Sequence, residues 1–210
     1  PRLQFSWMPR KNQDLVFKAA LGAYHQPPFY REMRRYDGTI NKSLLAQRSW
    51  QFVTGMDYQF KIGNRPFKIS AKAYATGIEM RLIGEWVKDA ESWFSIGFMR
   101  TRENLDDDYY FNFYNKDGEL ITGKTEDQVV ADSARVDVGW LRRPTDRLIT
   151  MGLFFQDYLS TNKNFKVHLN LLYGSNMPFN IPNSVKYRNA LIIDPYIRAD
   201  IGFSALLMDG

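Results

Sequence analysis

The chain has 210 residues, 44% hydrophobic and 15% aromatic, with no cysteine and a net charge of +5 from 28 basic against 23 acidic side chains. A mean hydropathy of -0.42 and the lack of any apolar run near the ~18 residues that a membrane helix needs exclude helical membrane spans. Without cysteine there is no disulfide, thiol nucleophile or thiolate metal site, and a basic excess spread along the chain argues against a nucleic-acid partner.

Alternation at period two marks the elements in order. Leu3, Phe5 and Trp7 alternate with Arg2, Gln4 and Ser6 before a turn-rich stretch from Pro9 to Asp14. Leu15, Phe17, Ala19, Leu21 and Ala23 then oppose Val16, Lys18, Ala20, Gly22 and Tyr24, which predicts a strand ending near His25. Gln26 to Gln47, with Pro27-Pro28, Arg34-Arg35 and Asp37-Gly38, has no strand period and reads as a long loop. Arg48 to Lys61 is the clearest strand. Trp50, Phe52, Thr54, Met56, Tyr58 and Phe60 share one face, and Ser49, Gln51, Val53, Gly55, Asp57, Gln59 and Lys61 share the other. It exceeds the ~9–11 residues with which a tilted strand crosses a bilayer, and it has aromatic residues near both ends of its apolar face.

A tight turn over Ile62 to Pro66 leads to a strand from Phe67 to Ala73, another from Thr76 to Leu82, a charged turn at 87–91 and a strand through Phe94, Ile96 and Phe98. The gap from Glu103 to Asp146 holds Asp106-Asp107-Asp108 and a hairpin signal at Lys116-Asp117-Gly118-Glu119, flanked by Tyr109 to Tyr114 and Leu120 to Thr122. Leu148 to Tyr158, a turn at 159–164 and Phe165 to Tyr173 predict a further hairpin. After a long connection at 174–195, Ile197, Ala199, Ile201, Phe203 and Ala205 form the last strand.

Connections therefore alternate, short at 9–14, 62–66, 87–91 and 159–164 and long at 26–47, 103–146 and 174–195. Outer-membrane barrels show this asymmetry, with tight periplasmic turns and long extracellular loops. The expected fold is all-β, an antiparallel up-and-down transmembrane β-barrel, with residues 1–210 supplying part of the barrel domain. At Tyr74-Ala75 a long loop is due but two strands abut, so an extracellular loop is expected to be missing there; the competing reading is one strand through Phe67 to Leu82. Pro1-Arg2-Leu3-Gln4 has no signal-peptide pattern and Met208-Asp209-Gly210 ends in turn formers, so the chain is expected to be a piece of a longer one.

Four stretches resemble the C-terminal barrel of TonB-dependent outer-membrane receptors, of the Bacteroidetes type with a carboxypeptidase-regulatory-like domain. They are Ala23-Tyr24-His25-Gln26-Pro27-Pro28-Phe29-Tyr30-Arg31-Glu32, Gly77-Ile78-Glu79-Met80-Arg81-Leu82, Arg143-Pro144-Thr145-Asp146-Arg147 and Asp194-Pro195-Tyr196-Ile197-Arg198-Ala199-Asp200-Ile201-Gly202. The resemblance implies about nine strands of a barrel of about 22, in the outer membrane of a Gram-negative cell. It also implies import of a scarce solute such as a metal chelate, cofactor, peptide or glycan. The partners implied are the receptor's own plug domain, the TonB-ExbB-ExbD complex acting through that plug, outer-membrane lipid and a surface lipoprotein. The alternative is a passive porin-like or adhesive barrel.

No enzyme chemistry and no cofactor are expected. His25 and His168 sit in different predicted strands, and neither His-x-x-x-His nor Gly-x-Ser-x-Gly occurs. His168 reads as a lumen-lining residue with no serine assignable to it. The Asp106-Asp107-Asp108 run lacks the Asp, Asn and Gly spacing of a calcium loop and reads as a solvated loop. Tyr30, Arg34, Arg35, Tyr36, Tyr109 and Tyr110 fall in the long loops, where aromatic and Arg side chains anchor ligands. Glu79 with Arg81, and Arg198 with Asp200, are expected as charge pairs on the lumen face. Trp50, Tyr58, Phe60, Trp86 and Phe94 are expected in the membrane-interface belts.

Overall fold

The structure, a computed structural model, describes residues 1–33, 39–40, 42, 45–104, 109–159, 163–181 and 184–206. Its elements are β1 (Arg2–Trp7), β2 (Leu15–Gln26), α1 (Tyr30–Met33), β3 (Gln47–Ile62), β4 (Arg65–Tyr74), β5 (Gly77–Val87), β6 (Ala90–Met99), β7 (Arg102–Glu103), β8 (Tyr109–Tyr114), β9 (Asp132–Asp137), β10 (Leu141–Arg142), β11 (Ile149–Tyr158), β12 (Phe165–Gly174), β13 (Met177–Phe179), β14 (Leu191–Ile193) and β15 (Tyr196–Ala205). Two compact units divide the chain. One comprises Pro1–Gly97, Met151–Leu172 and Arg198–Gly210, the other Phe98–Thr150 and Tyr173–Ile197.

The first unit is built on a nine-stranded sheet in the order β1-β2-β3-β4-β5-β6-β11-β12-β15, with β1 and β15 outermost. All nine strands expected from alternation are present, and the all-β antiparallel fold is as expected. Register is continuous across the long strands, from Leu15↔Tyr58 to Gln26↔Gln47 between β2 and β3, and from Val53↔Tyr74 to Ile62↔Arg65 between β3 and β4. Turn chemistry explains why it does not slip. Gly63 and Asn64 both take positive φ (55° and 67°), the mirror-image conformation whose twist matches a two-residue hairpin. The turn is thus shorter than Ile62 to Pro66, because the strands continue to Ile62 and restart at Arg65.

β4 and β5 pair from Phe67↔Gly84 to Tyr74↔Gly77 through a two-residue turn at Ala75-Thr76. One continuous strand over Phe67 to Leu82 is excluded. The chain reverses here, as the alternation of connections requires, but it does so tightly at the end of the sheet from which the long connections leave.

Alternate residues divide the sheet into two faces. Leu3↔Leu21↔Phe52, Trp7↔Phe17↔Met56 and Thr54↔Ala73↔Ile78 run across one of them. No conventional core lies beneath it: among the described residues of this unit Ala23 and Ala90 are the buried hydrophobic side chains, while Leu3 is 70% and Phe203 75% exposed. Phe5, Phe52, Ile78 and Ile201 are also more than half exposed. Burying such a side chain is worth ~1.5–3 kcal/mol. Leaving these six in water therefore forgoes on the order of 10 kcal/mol, as much as the whole stability of an ordinary domain.

The second unit consists of three two-stranded ladders, β7 with β10, β8 with β9 and β13 with β14. The hairpin signal at residues 116–119 does mark a turn, with Gly118 at φ 77° and its N–H donating to Asn115 O at 3.1 Å. Leu120 to Thr122 is nevertheless not the partner strand. Only a single bridge joins Tyr114 to Leu120, and β8 pairs instead with β9, from Tyr109↔Asp137 to Tyr114↔Asp132. Thr122 explains the departure, because it closes its own turn: its N–H donates to Thr125 Oγ1 at 3.0 Å, and that hydroxyl donates to Leu120 O at 3.0 Å.

Candidate functional site

The second face of the sheet carries the polar groups, and their contacts tie it together strand by strand. At its centre Asp57 accepts from Lys18 Nζ at 2.7 Å and lies 3.3 Å from Lys68 Nζ. Because Val16↔Asp57 and Asp57↔Ser70 are paired positions, these cations reach the carboxylate diagonally from β2 and β4. Ser70↔Arg81 continues the same row into β5.

From Arg81 a stacked row crosses the remaining strands. Its guanidinium lies 4.8 Å over the Trp93 ring of β6. Trp93 stacks on Phe154 of β11 at 6.3 Å, and Phe154 on His168 of β12 at 5.8 Å. His168 Nε2 then shares a hydrogen bond with Ser204 Oγ of β15, while its buried Nδ1 has no hydrogen-bond partner among the described residues. Asn170 Nδ2 donates to Asp200 Oδ2 at 3.4 Å beside it. His168 thus acquires a serine neighbour that sequence reasoning could not assign, since the pairing depends on the register between β12 and β15.

The expected residues divide between the two units. Arg198 Nε donates to Asp200 Oδ1 at 2.9 Å, whereas Glu79 accepts from the Tyr74 hydroxyl at 3.2 Å and Arg81 covers Trp93 instead. All four lie on the polar face, but only Arg198 with Asp200 forms an ion pair among the described residues. Trp50, with Arg48 4.9 Å over its ring, stands at the long-connection end of the apolar face. At the opposite end Tyr58 stacks on Phe60 at 5.5 Å, and Phe60 on Phe67 at 5.8 Å. Trp86 is 37% exposed and Phe94 half-buried, both on the apolar face.

Tyr30 is exposed in α1; Arg34, Arg35 and Tyr36, and the acidic run at 106–108, lie outside the described residues. Tyr109 and Tyr110 point to opposite sides of β8. Arg135 lies 3.9 Å over Tyr109, and Lys186 lies 5.4 Å over Tyr110 and donates to Asn112 Oδ1 at 3.0 Å.

Asp146, inside one of the quoted stretches but not singled out, is the fully buried charge among the described residues of the second unit. It accepts from Arg142 Nε at 2.6 Å and from the Thr101 N–H at 2.6 Å, while Arg142 Nη2 donates to its backbone oxygen at 3.0 Å. Burial alone would raise its pKa; the Arg142 and Thr101 hydrogen bonds outweigh it and hold the carboxyl below its ordinary value. An Arg and an Asp four residues apart around Pro144 was the available signal.

Among the described residues no cluster of His, Cys, Asp and Glu can hold a metal ion. Comparison of the chain with known protein families, curated proteins and solved structures finds no match, so the site is read on its own geometry.

Proposed function

We propose that this chain is a section of the wall of a transmembrane β-barrel in the outer membrane of a Gram-negative cell, part of a TonB-dependent receptor that imports a scarce solute. The observation that carries the membrane reading is the exposed apolar face of a nine-stranded antiparallel sheet whose other face is charged. Lipid would bury what no core buries, and the closed ladders leave few backbone groups within the sheet to hydrate. Stacked aromatics at one end and the Arg48-Trp50 pair at the other fit interface belts. The long connections, with their Tyr, Arg and Lys contacts, suit ligand capture. The receptor reading rests on the four resembling stretches; energy would reach the wall through a plug and the TonB-ExbB-ExbD complex, with the chain itself performing no catalysis.

The absence of cysteine makes the test direct. Single cysteines placed at Phe52, Val53, Met80 and Arg81 carry an environment-sensitive fluorophore in lipid vesicles. Blue-shifted emission at 52 and 80 with water-like emission at 53 and 81 is the expected outcome. Uniform emission, or cooperative folding as a monomer in buffer without detergent, would overturn the membrane assignment. A plug domain and TonB box encoded upstream of Pro1 separate the receptor from a passive or adhesive barrel, which has neither.

A further inference from the structure

The polar face of β2 to β5 has a cavity with four cationic side chains in its lining, next to a row position held by a glycine. Lys18↔Gly55 and Gly55↔Lys72 are paired positions, so two lysines flank a place in the row where no side chain stands. A Cβ on Gly55 would meet Ala71 O at 2.7 Å and Lys72 Cγ at 3.1 Å. That position is therefore closed to larger residues, and the gap belongs to the fold. A cavity of about 300 Å³ is lined by Lys18, Asp57, Lys68, Ser70, Lys72, Glu79, Arg81 and Ile83. A second, of about 180 Å³, shares Lys18, Asp57 and Lys72 and includes Gly55.

Four cations face two carboxylates here, and the pairing is uneven. Asp57 is shared by Lys18 and Lys68, and Glu79 is turned to the Tyr74 hydroxyl. Lys72 and Arg81 have no ion pair among the described residues. Arg81 is also held in place, because its guanidinium lies over the Trp93 ring at 4.8 Å, and its N–H groups can donate to a planar or tetrahedral oxyanion. Four cations against two carboxylates leave a surplus of two positive charges, which suits a group of more than one negative charge.

We propose that this cavity is a binding site for a small solute bearing a multivalent oxyanion, a phosphate or clustered carboxylates, held by Lys72 and Arg81 with Lys18 and Lys68 completing the positive wall. Asp57 tunes the site by drawing on Lys18 and Lys68. The site rests on the polar face alone and stands whether the opposite face meets lipid or protein.

Titration calorimetry on the folded full chain at low ionic strength, with pyrophosphate and citrate as separate probes, tests it. Saturable binding of at least one probe is expected, the two arms distinguishing phosphate from carboxylate chemistry. Lys72→Met with Arg81→Met should weaken it about tenfold or more, while Lys11→Met with Lys88→Met, which removes the same charge from two turns, leaves it within twofold. Asp57→Asn should tighten binding severalfold by freeing Lys18 and Lys68. No saturable binding, or equal weakening in the two double variants, overturns the site. Should the Lys72 and Arg81 variant not fold, Asp57→Asn decides: tighter binding supports the site, and unchanged or weaker binding overturns it.

Discussion

The nine-stranded sheet and the loop unit solve the same problem in opposite ways. In the sheet, long backbone ladders set every position and the large apolar side chains are left outside, so order comes from the main chain. The loop unit has strands of two to six residues and takes its order from buried polar side chains, with Asp146 fixing the β10 region and Asn115 the turn after β8. Asn115 Oδ1 accepts from the N–H groups of Asp117 and Glu119 at 3.1 and 2.8 Å. The sheet spreads its order over many backbone pairs, whereas the loop unit concentrates it in a few side-chain atoms.

The largest effect is expected where the loop unit concentrates its stability. Asp146→Ala strands Arg142 and the Thr101 N–H and should cost roughly 3–5 kcal/mol, read as lost hydrogen-exchange protection around 101–103 and 141–146 with the sheet unaffected. Acid should do the same reversibly. A carboxyl held below its ordinary value contributes fully above the unfolded value of about 4, and the contribution is lost as the pH falls further toward the folded one. Asp146→Asn should remove that pH dependence, and an unchanged acid profile would dismiss Asp146 as its source.

The sheet is probed next by moving a charge one residue. Phe52→Arg should destabilise the vesicle-embedded chain by ~2–4 kcal/mol in urea titrations, whereas Val53→Arg on the polar face should stay within about 0.5 kcal/mol. Equal costs would erase the distinction between the two faces. A smaller effect than at Phe52 is expected at the hairpin: Asn64→Ala puts an L side chain with no local hydrogen bond at φ 67° and should cost about 1–2 kcal/mol, measured as a shift in the same titration midpoint.

What was legible in the sequence follows the same division. Trp50 to Phe60 and Ile197 to Ala205 declare their faces because a side-chain period of two survives wherever each side of a sheet meets a different medium. The same alternation puts Glu79, Arg81, Arg198 and Asp200 on one face. It does not reveal that Asp57 gathers Lys18 and Lys68, or that His168 meets Ser204, because those contacts depend on inter-strand register. β9 went unread because Asp132-Ser133-Ala134-Arg135-Val136-Asp137 holds only two apolar residues. β7, β10, β13 and β14 are too short to show any period, and tertiary contacts decide them.

The two outermost strands carry a consequence for the order of events in assembly. Along the free side of β1 and of β15 the backbone groups that would join a further strand have no ladder partner in this sheet. In hydrocarbon each such group costs several kcal/mol, so strands entering a bilayer singly would meet the highest barrier at the start. If lipid is the medium of the apolar face, pairing must come before insertion. The tight turns at 63–64, 75–76 and 88–89 make β3 to β6 the segment best suited to close its ladders at the water boundary and to serve as the template on which its neighbours enter.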